Sequence, residues 1–348
     1  MNKITFLIVG QGLAGTMLAF EMLDRNIDFR IVSSPHKSKA SLVAAGMVNP
    51  LVFKRLTKSW MADELLPFMQ ERYLRLEVLL NETFYYQKQI LKPLSEQETE
   101  LWKTKKGQPQ FASYIGEILY SPPVDGIFPA FAYGIVKGAG YLNLHCFLKR
   151  AEDFFLKKGI LIYDDLQIDP LRGKVSGSRS KELEAEKIIF CDGYHFYRNP
   201  LFSFVKMYPA KGELLLVNAS RLSENFILNK KAFVLPVGDN RFKVGSTYEW
   251  DDLSERTTSK GKESILERFN SIIAVKYQVE KHWAGIRPTI ADRRPVLGKH
   301  PQFSNLFVFN GLGTKGVMLA PFFAQKMCHF VNGDEKALSI EFNVNRFV

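Results

Sequence analysis

Cysteine is scarce in this chain. Cys146, Cys191 and Cys328 are the three present, isolated in sequence and odd in number. No CxxC pair occurs, which argues against a disulfide framework and against a zinc knot. The six histidines are dispersed, without HExxH or HxxxH spacing, so nothing in the sequence points to a metal site. Long apolar runs are missing too. A bilayer-spanning helix needs about 20 apolar residues in succession, and no stretch reaches that length. The opening MNKITFLIVGQGLAG begins like a secretory leader, with a lysine and then an apolar run. Gly10, Gln11 and Gly12 cut the run short, and the reading is of a soluble, cytoplasmic protein. Internal repeats and low-complexity segments are absent, as are paired carboxylates or a nucleophilic triad.

What is present is a chain of 348 residues, 46% apolar, long enough for a large core in two lobes. The formal net charge is +11. Such an excess suits an anionic partner, whether RNA, an acidic substrate or a phosphate-bearing cofactor. The excess is diffuse, however, with only short runs such as KTKKG (Lys103 to Gly107) and LNKKAF, and these read as solvated faces.

KITFLIVG reads as a short buried strand, LAGTMLAFEMLDRN as a helix stopping near Asn26, and DFRIVSS as a second strand. Strand, glycine turn, helix and strand make a βαβ unit on a parallel sheet. A second helix covers LTKSWMADELLPFMQERYLRLEVLL, with Leu65, Met69, Tyr73, Leu76 and Leu80 on one face. Residues 81–138 read as mixed and strand-like. In GYLNLHCFLKRAEDFFLKKG, Asn143 is an N-cap, Leu144, Phe147, Leu148, Ala151, Phe154 and Phe155 form an apolar stripe, and Gly159 ends the helix. Strands ILIYDDLQI and EAEKIIFCDG follow, then a β-rich block over 206–249 and a helix, SKGKESILERFNSII. The chain closes with a strand, NLFVFNG, and a helix, GVMLAPFFAQKMCHFVNG.

The first turn carries Gly10-x-Gly12-x-x-Gly15, with Leu13 and Ala14 opening the helix. Gly10 permits the tight turn, Gly12 lets backbone approach a pyrophosphate, and Gly15 lets helix and strand pack closely. The helix N-terminus then faces the negative charge. The second strand of such a unit ends in Asp or Glu, for the ribose hydroxyls. Here Ser33 holds that slot, followed by Ser34, and a serine bonds a hydroxyl without the strength of a charge. A third feature is Arg287, in the apolar context AGIRPT. A guanidinium keeps its charge, so burial there demands an anionic or acceptor partner.

Seven segments, taken in order, resemble the D-amino-acid oxidase and glycine oxidase group of FAD-dependent oxidoreductases: VGQGLAG, SLVAAGMVNP, GYLNLHCFL, IIFCDGYH, YPAKGELL with FKVGSTYE, WAGIRPTIADRRPVLG and NLFVFNGLGTKGVMLAP. The resemblance implies an α/β fold. A Rossmann-like FAD-binding domain with a parallel sheet would comprise residues 1–80, 139–205 and 281–348. An inserted substrate domain on a mixed, largely antiparallel sheet would comprise 81–138 and 206–280. It also implies non-covalent FAD, because no cysteine stands near Arg287, where some relatives attach their flavin. The cofactor would touch Gly10, Gly12, Leu13, Ala14, Gly15, Ser33 and Ser34. It would also meet Ser41, Ala45, Gly46 and Met47 in the second flavin segment, Leu166, then Cys191, Asp192 and Gly193, and finally Gly311, Gly313, Thr314, Lys315 and Gly316 in the closing turn.

The resemblance assigns Arg287 to clamp a substrate carboxylate, for which the planar fork is suited. Phe233 aligns with a substrate-facing tyrosine and, lacking the hydroxyl, points to a more apolar substrate. Tyr248, two residues past Ser246, faces the same pocket by strand alternation. Lys315 lies in the turn beside the flavin pyrimidine edge, where a cation steadies reduced flavin. The implied activity is oxidation of the C–N bond of an amino acid or secondary amine carrying a carboxylate, with hydride transfer to flavin N5, and oxygen or another acceptor closing the cycle. Two alternatives remain open. One is a tRNA wobble-uridine oxidase acting on a carboxymethylaminomethyl group, which the net charge would suit. The other is a flavin-binding protein without turnover.

Overall fold

The computed structural model describes residues 2–169, 174–177 and 183–348. Two eight-stranded sheets organise the chain. In the first, Leu161–Tyr163, Phe29–Ser33, Asn2–Val9 and Leu183–Phe190 lie side by side and parallel. Leu306–Asn310 joins parallel to the last of these through Ile188, Ile189 and Phe190. Val296–Lys299, Lys174–Gly177 and Leu166–Asp169 complete the sheet with antiparallel pairings. The expected βαβ unit is present: Asn2–Val9, helix Leu13–Asp24 and strand Phe29–Ser33. Strand ends Val9, Ser33 and Phe190 therefore open on one edge of the sheet, where ligands of open α/β sheets bind.

Helix Leu13–Asp24 is buried on nearly every side. It packs on helix Gly316–Val331, which explains its almost uniformly apolar sequence. Helix Leu144–Lys157 obeys its sequence signals. Asn143 accepts a hydrogen bond from the Cys146 amide at 3.2 Å, and Gly159 takes the left-handed φ of +68° after the last turn. Its stripe meets Phe20, whose ring lies 4.8 Å from that of Phe155. Each fully buried phenylalanine of this kind contributes roughly 1.5–3 kcal/mol.

The second sheet runs Gln278–Arg287, Ala210–Asn218, Arg241–Gly245, Phe233–Gly238, Ile227–Asn229, Ile90–Leu94, Ala132–Val136, Ile115–Leu119. It is antiparallel except where Ile227–Asn229 meets Ile90–Leu94. One sequence expectation needs correction. The domain boundary at residue 281 falls inside Gln278–Arg287, which pairs with Ala210–Asn218 from end to end. Residues 281–287 thus belong with the antiparallel sheet, and the ladder stops where Pro288 has no N–H to give. The region 81–138, expected as mixed and strand-like, also holds a helix that the sequence reading did not name. This is Glu96–Lys106, opened by a reciprocal capping box between Ser95 and Glu98.

Candidate active site

A cleft of about 1230 Å³ runs from the strand ends of the parallel sheet to the face of the antiparallel one. That volume exceeds the roughly 300–1,000 Å³ of ordinary small-ligand pockets. At one end lie Gly10, Gly12, Leu13 and Ala14. Gly10 has φ +106°, and a Cβ there would come within 2.7 Å of the Cys191 carbonyl oxygen. Gly12 caps the first helix with no side-chain bond, and no acidic residue sits in the first turn. The helix start is thus open to an anion. Gly15 does not reach the cleft. A Cβ on it would meet the Gly10 carbonyl oxygen at 1.9 Å, so its task is close packing.

Ser41 lines the cleft and its Oγ accepts the Leu13 amide at 3.2 Å. Ala45, Gly46 and Met47 continue that wall. The segment is held by the Trp283 ring N–H, which donates to the Val43 carbonyl at 2.9 Å. Ser33 and Ser34 also line the cleft, Ser33 almost fully buried. The Ser33 carbonyl accepts the amide of Asp164, a buried carboxyl at the end of the neighbouring strand and on the same wall. An acid therefore stands beside the slot that the sequence leaves without one. Leu166, expected here, pairs through its backbone with Gly177 in the outer part of the sheet; its side chain is outside the described residues.

Cys191, Asp192 and Gly193 form the opposite wall. Burial pushes the Asp192 carboxyl up to about 7, and its Oδ1 has no hydrogen-bond partner among the described residues. A buried oxygen without a partner calls for a donor from a ligand. Gly193 is fixed by Asn310, whose Nδ2 donates to its carbonyl at 3.0 Å. Gly313, Thr314, Lys315 and Gly316 close this region, and the Gly313 amide donates to Pro288, tying the turn to the Arg287 segment. Gly311 is set back from the cleft against Ile290.

The catalytic candidates lie further along. Arg287 donates through Nη1 to the Lys211 carbonyl at 3.1 Å and through Nη2 to Ser246 Oγ at 2.7 Å and the Thr247 carbonyl at 3.2 Å. Its partners are all neutral, and burial lowers its pKa from the ordinary guanidinium range. Tyr248 stacks on it and is otherwise half exposed, while Phe233 lines the same wall. Lys315 also lines the cleft. Its ammonium is turned to the Ser59 hydroxyl and the Asn49 carbonyl, with no carboxylate partner among the described residues, and burial lowers its pKa to about 8.

Several lining residues were given no role from the sequence: Lys39, Arg198, Gly212, Ser246, Arg268 and Asn310. Lys39 and Arg198 bring positive charge to the nucleotide end. Gly212 makes room for Arg287, since a Cβ there would fall 2.0 Å from Nη2. A glycine inside a strand is the one hint, because it often marks a close approach.

An open helix N-terminus, a glycine turn at a parallel-sheet edge and a large cleft reaching a second sheet define a dinucleotide-dependent oxidoreductase fold. The chain belongs to the FAD dependent oxidoreductase family, whose sequence model matches residues 5–329. It is 25% identical over 201 residues to the glycine oxidase of Geobacillus kaustophilus, covering 55% of this chain and 53% of that protein. The matched stretches span only 31% to 53% of the first curated glycine oxidases. A solved glycine oxidase from Geobacillus kaustophilus superposes with a TM-score of 0.83 at 20% identity, over 100% of both chains. An iminodiacetate oxidase from a Chelativorans species gives 0.77 at 20% identity, covering 98% of each. The tRNA 5-methylaminomethyl-2-thiouridine biosynthesis bifunctional protein MnmC of Idiomarina loihiensis is 26% identical over 164 residues, covering 44% of this chain and 26% of that protein. The residues present fit FAD. The glycine turn and helix N-terminus suit its pyrophosphate, and the Asp192 oxygen that has no partner among the described residues suits one of its hydroxyls.

Proposed function

We propose that this protein oxidises the C–N bond of an amino acid or secondary amine that carries a carboxylate. The observation that supports this most is Arg287, a guanidinium on the cleft wall whose protein partners are three neutral oxygens. A charge in that setting calls for an anion, and a planar fork binds a carboxylate in one orientation. Bound FAD supplies the two-electron acceptor. Arg287 and Tyr248 orient the substrate, and Phe233 and the strand residues around Gly212 keep water from the reacting carbon. Positioning of this kind contributes on the order of 7 kcal/mol or more to lowering a barrier. The oxidised product is an imine, and water converts it to an oxo acid and an amine. The nucleotide end is assigned to Gly10, Gly12, Ser41, Asp164 and Asp192. Anaerobic titration with a panel of amino acids, N-methyl amino acids and iminodiacetate tests the reading: at least one must bleach the flavin, and amines without a carboxylate must be inferior.

A second reading draws on the likeness to MnmC and the net charge of +11: the amine would be carried on RNA, as a carboxymethylaminomethyl group on uridine. Against it stands the acidic character of the segment after Tyr248, with Glu249, Asp251 and Glu255 close together in sequence beside Asp252, which is paired with Lys211; unpaired acids there would repel a phosphodiester chain. A modified anticodon hairpin in the same bleaching assay separates the two.

A further inference from the structure

The far end of the cleft holds a second guanidinium. Arg268 comes from helix Ser259–Asn270 and lines the same cleft as Arg287. Its Nη1 donates to the Ser246 carbonyl at 3.1 Å, while Arg287 donates to the hydroxyl of that same Ser246. One residue therefore separates the two cations. The other acceptors of Arg268 are the Ser264 carbonyl at 2.9 Å, the Ser264 hydroxyl at 3.4 Å and the Lys231 carbonyl at 3.5 Å. No carboxylate makes a salt bridge with Arg268 or Arg287 among the described residues. Lys231 adds a third cation to that end of the wall, and the acidic residues that line the cleft, Asp164, Asp165 and Asp192, stand at the nucleotide end.

Arg268 is also held in place. Thr258 caps its helix by accepting the Gly261 amide at 2.9 Å, and Glu213 accepts both the Thr258 amide at 3.0 Å and its hydroxyl at 2.8 Å. Glu213 is the strand neighbour of Gly212, against which Arg287 lies. The two guanidinia are thus built on one framework, which keeps like charges close; its own carboxylate, Glu213, is engaged by Thr258 and His282 and makes no salt bridge with either guanidinium among the described residues. Such an arrangement is costly unless anions fill it.

We propose that the substrate is an amine bearing two carboxylates, one held by Arg287 and the second by Arg268. This rests on the reading of Arg287 as a carboxylate clamp. Two fixed forks a residue apart select a short dianion over a monoanion, and the acidic stretch from Glu249 to Glu255 disfavours an extended polyanion.

The test uses the FAD-loaded protein and unreactive acids, read by perturbation of the flavin spectrum. Succinate and glutarate are compared with propionate and butyrate. The wild type should bind the diacids at least about tenfold tighter. Arg268→Gln should bring that ratio close to one, and Arg268→Lys should keep part of it. Equal affinity for mono- and diacids in the wild type overturns the proposal while leaving the Arg287 clamp standing, and so does a diacid preference that survives in Arg268→Gln. Monoacid binding that persists in Arg287→Met overturns the clamp itself, and the proposal with it. Displacement of succinate by an unmodified RNA hairpin, dependent on Arg268, would assign the second cation to a polyanion and overturn the diacid reading. If Arg268→Gln fails to retain flavin, the wild-type ratio and the lysine variant decide.

Discussion

The guanidinium carbon of Arg287 stands 4.2 Å from the centre of the Tyr248 ring. Contacts of this kind contribute about 0.5–2 kcal/mol, more where water is excluded. They also fix the plane of the fork. Gly212 completes the slot, because a methyl group there would lie 2.0 Å from Nη2. The orientation of the clamp is thus set by a ring and by an absent side chain.

Gly212→Ala should therefore displace Arg287 while leaving the nucleotide end alone. Affinity for carboxylates should fall by about 1.5–3 kcal/mol, the range for losing a charge-assisted hydrogen bond, with FAD content unchanged. Titration of the flavin spectrum with propionate measures it. Wild-type affinity in the variant would mean that the fork has no fixed plane to lose.

Arg287→Met removes the charge and keeps much of the apolar area. Carboxylate affinity should drop by roughly 2–5 kcal/mol, and Arg287→Lys should recover little, because a point charge cannot reproduce the fork. The Lys211 carbonyl keeps the Glu249 amide as a donor and Ser246 and Thr247 are partly exposed, so the fold should persist. Loss of FAD from the methionine variant would show the arginine to be structural.

Cys191 lines the cleft, yet burial drives its thiol pKa well above the ordinary 9. Nucleophilic attack needs the thiolate. The flavin should accordingly remain unattached, and acid precipitation should leave all colour in the supernatant. A yellow pellet would contradict this.

Much of this site was legible in sequence because its physics is local. The tight turn at Gly10 and the packing of Gly15 on Gly10 need glycine itself, and the Asn143 cap lies within one helical turn. Arg268 was hidden for the opposite reason. In SKGKESILERFNSII it sits among charges on an amphipathic helix, the usual mark of a solvated face, and only the packing of that helix on strand Ala210–Asn218 turns it inward. The boundary at 281 failed similarly, since a strand's partner cannot be read from its own residues. The Ser95 to Glu98 capping box was in plain view, within a region read as mixed and strand-like. Lys315 was placed correctly in the chain, and its partners, Asn49 and Ser59, are more than 250 residues away.

Asp192 should show opposite effects with and without cofactor. Its Oδ1 is buried without a hydrogen-bond partner among the described residues, and burial raises the carboxyl to about 7. Leaving such an oxygen unpaired costs about 1–3 kcal/mol. Asp192→Ala should raise the stability of the flavin-free protein by an amount of that order and weaken FAD binding. The sign depends on pH. A raised carboxyl pKa favours the fold below the ordinary 3.8, and that contribution is lost as pH rises through about 7, so the gain should be larger at pH 8 than at pH 5. Urea unfolding at both values, beside FAD titration, checks it. A flavin-free variant less stable than the wild type at pH 8 would show that the carboxylate has a partner in solution.

Lys315 gives the last prediction. Its ammonium is buried against Asn49 and Ser59, and its pKa is lowered from 10.5 to about 8 by burial. Between those two values the unfolded chain holds a proton that the folded chain has released. Stability from this group is therefore full above pH 10.5 and is lost as pH falls to about 8, below which the folded protein carries a buried charge at a cost on the order of 3 kcal/mol. Other groups titrate in the same window, so the difference between wild type and Lys315→Met is the quantity to follow. In the flavin-free protein, the wild type should gain on the variant as pH rises from 7.5 to 10, measured by urea midpoints at each pH. An anionic ligand beside the ammonium would favour its charged form and shift that gain to higher pH. A difference that stays flat across the window in the flavin-free protein would mean that the ammonium is solvated rather than buried, and would remove Lys315 as a fixed cation of the cleft.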